Sequence, residues 1–136
     1  MNQTPEVKFQ FVNFLIKESH FVLNNAGEYD FTLSFDPSGV VLPSLGQFHL
    51  QLGFTAKDAE NLVDINLVAV AIFQYEGIDN IADSQYFVVN APAIAFPYLR
   101  AYISTLTTQS GIPPIILPTL NLSGLADLLK QNIRVE

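Results

Sequence analysis

No cysteine occurs among the 136 residues, so neither a disulfide framework nor a thiolate metal site is available, as suits a reducing compartment. Charge is scarce: Asp, Glu, Lys and Arg make up 14% of the chain, where an ordinary domain carries about 25%. Positive charge is scarcer still, with six Lys and Arg against thirteen Asp and Glu, for a net charge of -7. Phosphate contacts need Lys and Arg, so nucleic acid is excluded as a partner and basic surfaces are favoured. No apolar run approaches the ~20 residues of a membrane span. The opening "MNQTPEVKF" has no basic segment leading into an apolar core, so no signal peptide is read there. The expectation is a soluble, cytoplasmic protein without membrane insertion, in which the glycosylation-like triplets at Asn2 and Asn121 are chance.

Apolar side chains, by contrast, are abundant. Hydrophobic residues reach 49%, eleven of them Phe. The length suits one domain spanning residues 1–136, able to hide about two thirds of its unfolded surface. With so few charges to cover its outside, such a domain must expose apolar area or bury it against a partner.

Along the first part of the chain the apolar residues alternate, which marks half-buried strands. In "VKFQF", Val7, Phe9 and Phe11 share a face; the phase then slips near Val12–Asn13, as a β-bulge would make it, and Phe14 and Ile16 continue. Tyr29, Phe31, Leu33 and Phe35 alternate in "EYDFTLSFD", and "DPSG" (36–39) reads as a turn. In "QFHLQLGFTA", Phe48, Leu50, Leu52, Phe54 and Ala56 face inward. "AKDAEN" reads as a hairpin connection. The run after it has one wet face at Asp64 and Asn66, then turns almost wholly apolar from Val68 to Phe73, as though covered on both sides.

After Gly77 the period changes. Residues 79–89 form an ambiguous connector punctuated by Asn90 and Pro92. From Phe96 the spacing is helical, through Leu99, Ile103 and Leu106, with Pro97 in the first turn and Gly111 at the stop. Asn121 or Ser123 caps a last helix whose Leu122, Leu125, Leu128 and Leu129 form one stripe. Four strands followed by two helices predict an α+β fold with an antiparallel sheet.

Catalytic chemistry is hard to find. His49 lies on a polar strand face. Glu18, Ser19 and His20 are adjacent strand residues that point to alternate faces, unlike a triad. Asp58 and Glu60 sit in a hairpin turn, Asp79 and Asp83 offer two ligands where a metal needs more, and no glycine cluster cradles a phosphate. The expectation is a protein that is not an enzyme and holds no cofactor and no metal.

The stretch "NAPAIAFPYLRAYISTLTTQSGIPPIILPTLNLSGLADLL" resembles the C-terminal part of the SecB export chaperone family. The resemblance is carried by Pro92, Phe96, Pro97, Tyr98, Arg100, Gly111, Pro114, Pro118, Asn121 and Leu125, and upstream by "FQF" at Phe9, "FTLSFD" at Phe31 and "IFQYEGI" at Ile72. It implies a four-stranded antiparallel sheet followed by two helices, and an ATP-independent holdase for unfolded or precursor polypeptides handed to the SecA motor. It also implies a homotetramer built as a dimer of dimers through the first strand and first helix. The subunit interface falls on Phe9, Phe11, Tyr98, Tyr102 and Thr105, with Phe96, Leu99, Ile103 and Leu106 facing the sheet. The client groove falls on Tyr29, Phe31 and Leu33, walled by Leu125, Leu128 and Leu129. Motor contacts map to Glu18, Val22, Asp64 and Asn66, of which Glu18 and Asp64 keep the acid. Two further departures are the missing Trp and a short segment at 24–30. Two other readings stand beside the export role: a dedicated chaperone of one partner such as an antitoxin, and a carrier of a small apolar ligand in the sheet–helix cleft.

Overall fold

A computed structural model describes residues 8–78, 85–118 and 122–136. Val7, the Asp79/Asp83 pair and Asn121 lie outside the described residues. The elements run β1 (Lys8–Leu23), β2 (Phe31–Leu42), β3 (Gln47–Asp58), β4 (Val63–Glu76), α1 (Gln85–Gln109), α2 (Leu122–Gln131) and β5 (Ile133–Val135). The strands form one sheet in the order β1-β4-β3-β2-β5, antiparallel throughout except for the β2–β5 pair. The α+β expectation holds, with β5 as an added short strand.

The alternation in β3 and β4 translates directly into a core. Phe48, Leu50, Phe54 and Ala56 of β3 and Val63, Ile65, Ala69 and Phe73 of β4 are at most 1% exposed. On β1 the register slips between Phe11 and Asn13, as expected, and again between Ile16 and Glu18. The two bulges keep Phe9, Phe11, Phe14, Ile16 and Phe21 on the inner face, all packed against the core. The second bulge left no mark in the sequence because Lys17, Glu18, Ser19 and His20 are polar on both faces.

The turn expected at 36–39 is not there. β2 runs straight through it, and the chain turns at 43–46, where Leu45 N–H donates to Leu42 O and Gly46 adopts a φ of 60°. Asp30 O and the unbroken register place the even-numbered backbone groups of β2 toward β3. Pro37, odd-numbered, therefore surrenders no ladder bond, which is how an edge strand accepts proline. Gly39 is required for another reason: a Cβ there would lie 2.7 Å from the Phe48 ring.

The first helix begins at Gln85, well before the Phe96 start expected, and Pro92 and Pro97 both lie inside it. Interior proline costs a helix about 3 kcal/mol. Here that cost is offset by burial of Phe87, Val88, Ala91, Ala95, Phe96, Leu99 and Ile103 along one face. Leu106 is only partly buried beside this core. At the C-terminal end Gly111 has a φ of 86°, and Ile112 N–H reaches back to Thr107 O. Ser123 falls inside α2 and not at its cap.

Both helices lie on the inner face, α2 against α1 and β2. On the outer face, the half of β4 expected to be covered is only half so: Val70 is buried, Val68 and Ile72 are intermediate.

Candidate functional site

Along the first half of β2 the inner face is only partly covered. Tyr29, Phe31, Leu33 and Phe35 are only partly buried against the core, in a row that follows from their alternation. The Tyr29 and Phe31 rings stack at 5.8 Å, and Phe35 sits 5.3 Å from Phe54 and 6.1 Å from Phe96. The backbone of the same residues faces the sheet edge. Gly39 N–H donates to Asn132 O and Val41 O accepts from Glu136 N–H, so odd-numbered groups point away from β3. β5 covers this edge only from Gly39 to Val41. Upstream, the N–H and C=O groups of Phe31, Leu33 and Phe35 have no backbone partner among the described residues. Aromatic side chains and unpaired backbone thus coincide.

Of the expected helical wall, Leu129 is fully buried and Leu125 is 8% exposed, so both belong to the packing of α2 on the fold. Leu128 is 46% exposed and points outward. The single stripe is therefore split, because residues 128 and 129 stand about 100° apart on a helix. Ile116, in the stiff loop before α2, is 73% exposed and was not singled out by its sequence, since an apolar residue in a loop carries no period.

The connector entering β2 is held by one carboxylate. Asp58 accepts hydrogen bonds from the N–H groups of Asp30 (2.7 Å), Glu60 (3.0 Å) and Leu62 (3.1 Å). The Asp30 bond holds the Asp58 carboxyl below the usual carboxylate value, against the opposing push of burial. The sequence placed Asp58 in a solvated turn; its side chain is instead buried and ties two loops together.

Of the residues expected at a subunit interface, Phe11, Tyr98 and Tyr102 join β1 and α1 within the chain, and Phe9 packs on both β4 and α1. Phe9 stacks on Phe73 at 4.6 Å, Tyr98 stacks on Phe11 at 4.9 Å and Phe14 at 5.5 Å, and Tyr102 Oη donates to Ser19 Oγ at 2.7 Å. Tyr98 and Tyr102 therefore contact the sheet, contrary to the division of the helix into a sheet side and a subunit side. Tyr98 nonetheless stays 47% exposed, and Thr105 is exposed. Arg100 rests over the Phe96 ring at 5.2 Å, and its buried Nε has no hydrogen-bond partner among the described residues.

Glu18, Val22, Asp64 and Asn66 fall together on the outer face of the β1–β4 pair, with Val22 opposite Asp64 and His20 opposite Asn66. Asp64 lies opposite the exposed Val22, and Glu18 stands further along β1, opposite Val68. No three metal-ligating side chains converge among the described residues, and no described helix is long and apolar enough to cross a membrane.

A family model described as preprotein translocase subunit SecB matches residues 28–132. An uncharacterized protein of Methanocaldococcus jannaschii is 32% identical over 136 residues, covering 92% of this chain and 86% of its own length. Protein-export protein SecB of Alkalilimnicola ehrlichii is 29% identical over 133 residues, covering 90% of this chain and 70% of its own. A Mycobacterium tuberculosis SecB-like chaperone, solved in complex with a ChAD peptide from the HigA1 antitoxin, superimposes with a TM-score of 0.71 at 20% identity, over 83% of this chain and 88% of that one.

Proposed function

This chain belongs to the SecB family, and from that premise we propose that it is an ATP-independent chaperone that holds extended, unfolded polypeptides. The observation that carries the reading is the half-covered row of Tyr29, Phe31, Leu33 and Phe35 beside the unpaired backbone of Phe31, Leu33 and Phe35. An extended client segment satisfies both at once. Its alternate side chains cover the aromatic row, each apolar anchor contributing about 1.5–3 kcal/mol when fully buried. Its amides pair with the open edge as a further strand. Folded proteins expose neither feature, so selection for unfolded chains follows without any nucleotide or catalytic group, and the protein is not an enzyme. Leu128 and Ile116 extend the apolar surface from the helical side. The net charge of -7 favours basic clients through on-rate.

The working assembly in this reading is a dimer of dimers. The other sheet edge, along β1, supplies the first contact, and the small, exposed side of α1 the second. The protein acts in the cytoplasm. Aggregation of a thermally unfolded client, followed by light scattering, tests the reading: suppression is expected at one assembly per client, and its absence at stoichiometric protein overturns it.

Dedication to one partner is the second reading, favoured by Val22 and Asn66, which stand where the family resemblance expects acids for the export motor. The solved relative bound to an antitoxin peptide is a precedent for that mode. Co-purification of many precursors supports general export; a single protein supports dedication.

A further inference from the structure

The outer face of the sheet, opposite the aromatic row, changes character from one end to the other. Around Asp64 and Asn66 it is polar. At the other end Leu15 of β1, Val70 and Ile72 of β4, and Val40 of β2 floor a hollow of about 480 Å³. That volume lies within the roughly 300–1,000 Å³ of small-molecule sites, which are also mostly apolar with a few placed polar groups. Here the polar groups include Lys17, His49, Gln51, Arg134 and Glu136.

Two local features bring the cations there. The second bulge of β1 lies at Lys17. β5 pairs Arg134 with Val40, an outward-facing position of β2, so the guanidinium follows Val40 to the outer face. A chain with only six Lys and Arg and a net charge of -7 thus commits two of its cations to one apolar hollow. Among the described residues the only acid lining it, Glu136, is already engaged by Arg134 Nε at 2.8 Å. Both partners of that ion pair are more than half exposed, and such pairs are weak and readily exchanged.

We propose that this hollow binds a small amphiphile with one carboxylate head and an apolar tail, of the medium-chain fatty acid class. The head takes the place of Glu136 on Arg134, with Lys17 completing its charge. The tail covers Leu15, Val70 and Ile72. A cationic amphiphile meets two like charges there, and a neutral one leaves Arg134 on Glu136 and gains nothing from either cation. The site is on the opposite face from the client row, so its occupancy is independent of chaperone action.

Titration calorimetry of the full chain with decanoate, below its micelle concentration, tests this. One saturable site per chain is expected. Decanol and decyltrimethylammonium should bind at least about tenfold more weakly, the scale of one charge-assisted hydrogen bond. Arg134→Gln and Lys17→Gln should each weaken decanoate by about that factor with the melting temperature retained. Glu136→Gln, by removing the competitor, should tighten it. Phe31→Ser, on the other face, should leave it unchanged. Absence of saturable binding, equal binding of decanol, or no response to both cation variants overturns the proposal. Loss of binding in Phe31→Ser also overturns it, because the amphiphile would then occupy the client row.

Discussion

Thr107 is fully buried inside α1, where its hydroxyl donates to Ile103 O at 2.8 Å and accepts the Ile115 N–H at 2.9 Å. It therefore anchors the stiff loop that carries Ile116 to the helix. Thr107→Val keeps the shape but strands the Ile115 N–H, and a loss of about 1–3 kcal/mol in denaturant unfolding is expected. Asp58 does the same for the connector into β2. Because its folded pKa is depressed, its stabilising effect is present above the unfolded value of about 4 and is lost as pH falls through the lower folded value. The melting temperature should fall on acidification through that window, and Asp58→Asn should flatten this part of the pH profile; an unchanged profile would remove Asp58 from the acid response. On α2, Leu128 and Leu129 separate capture from stability. Leu129→Ala should cost about 2–5 kcal/mol as a core deletion. Leu128→Ser should shift melting by less than about 4 °C while reducing aggregation suppression. Equal melting shifts in the two variants would assign Leu128 to the core.

At the scale of elements, β2 carries the most conflict between local signals and fold. Asp36, Pro37, Ser38 and Gly39 are each turn formers, yet the strand passes through them because Pro37 sits on the open edge and Gly39 fits under Phe48. Gly39→Ala should destabilise by about 1–3 kcal/mol through overpacking, measurable by thermal unfolding. β1 and α1 show why the rest was partly legible. Alternation in β3 and β4 reads directly because each face has one environment. The N-terminal half of α1 was hidden by Pro92 and Asn90, whose local preference was outweighed by the burial of Phe87, Val88 and Ala91. The half-covered row on β2 was visible as a period of two, but the wall expected from α2 was not, since the inward side of α2 depends on how the helix is rolled against β2. The three-residue β5 is too short for a periodic signal, and the outer hollow draws on five strands distant in sequence.

For the whole molecule, the paired outer-face positions on β1 and β4 offer a test of motor coupling. Val22→Glu with Asn66→Glu should strengthen binding to a basic zinc-binding peptide at low salt, the gain fading as salt screens it; unchanged affinity would reject the patch as a docking site. Light scattering should give a mass that is a multiple of 15.1 kDa, fourfold for a dimer of dimers. A monomer at micromolar concentration would count against it. The strand order also has a consequence in time. Among the described strands β1 pairs with β4 alone, so residues near Leu23 wait for partners near Val63, about 40 residues later, and Lys8 waits for Glu76. At about 5–20 residues per second, a ribosome leaves that first strand unpaired for roughly 2–8 s at its Leu23 end and roughly 3–14 s at its Lys8 end. Throughout the interval Phe9, Phe11, Phe14 and Phe21 are uncovered. A member of a chaperone family is therefore itself, while being made, an exposed apolar chain of the kind that chaperones bind.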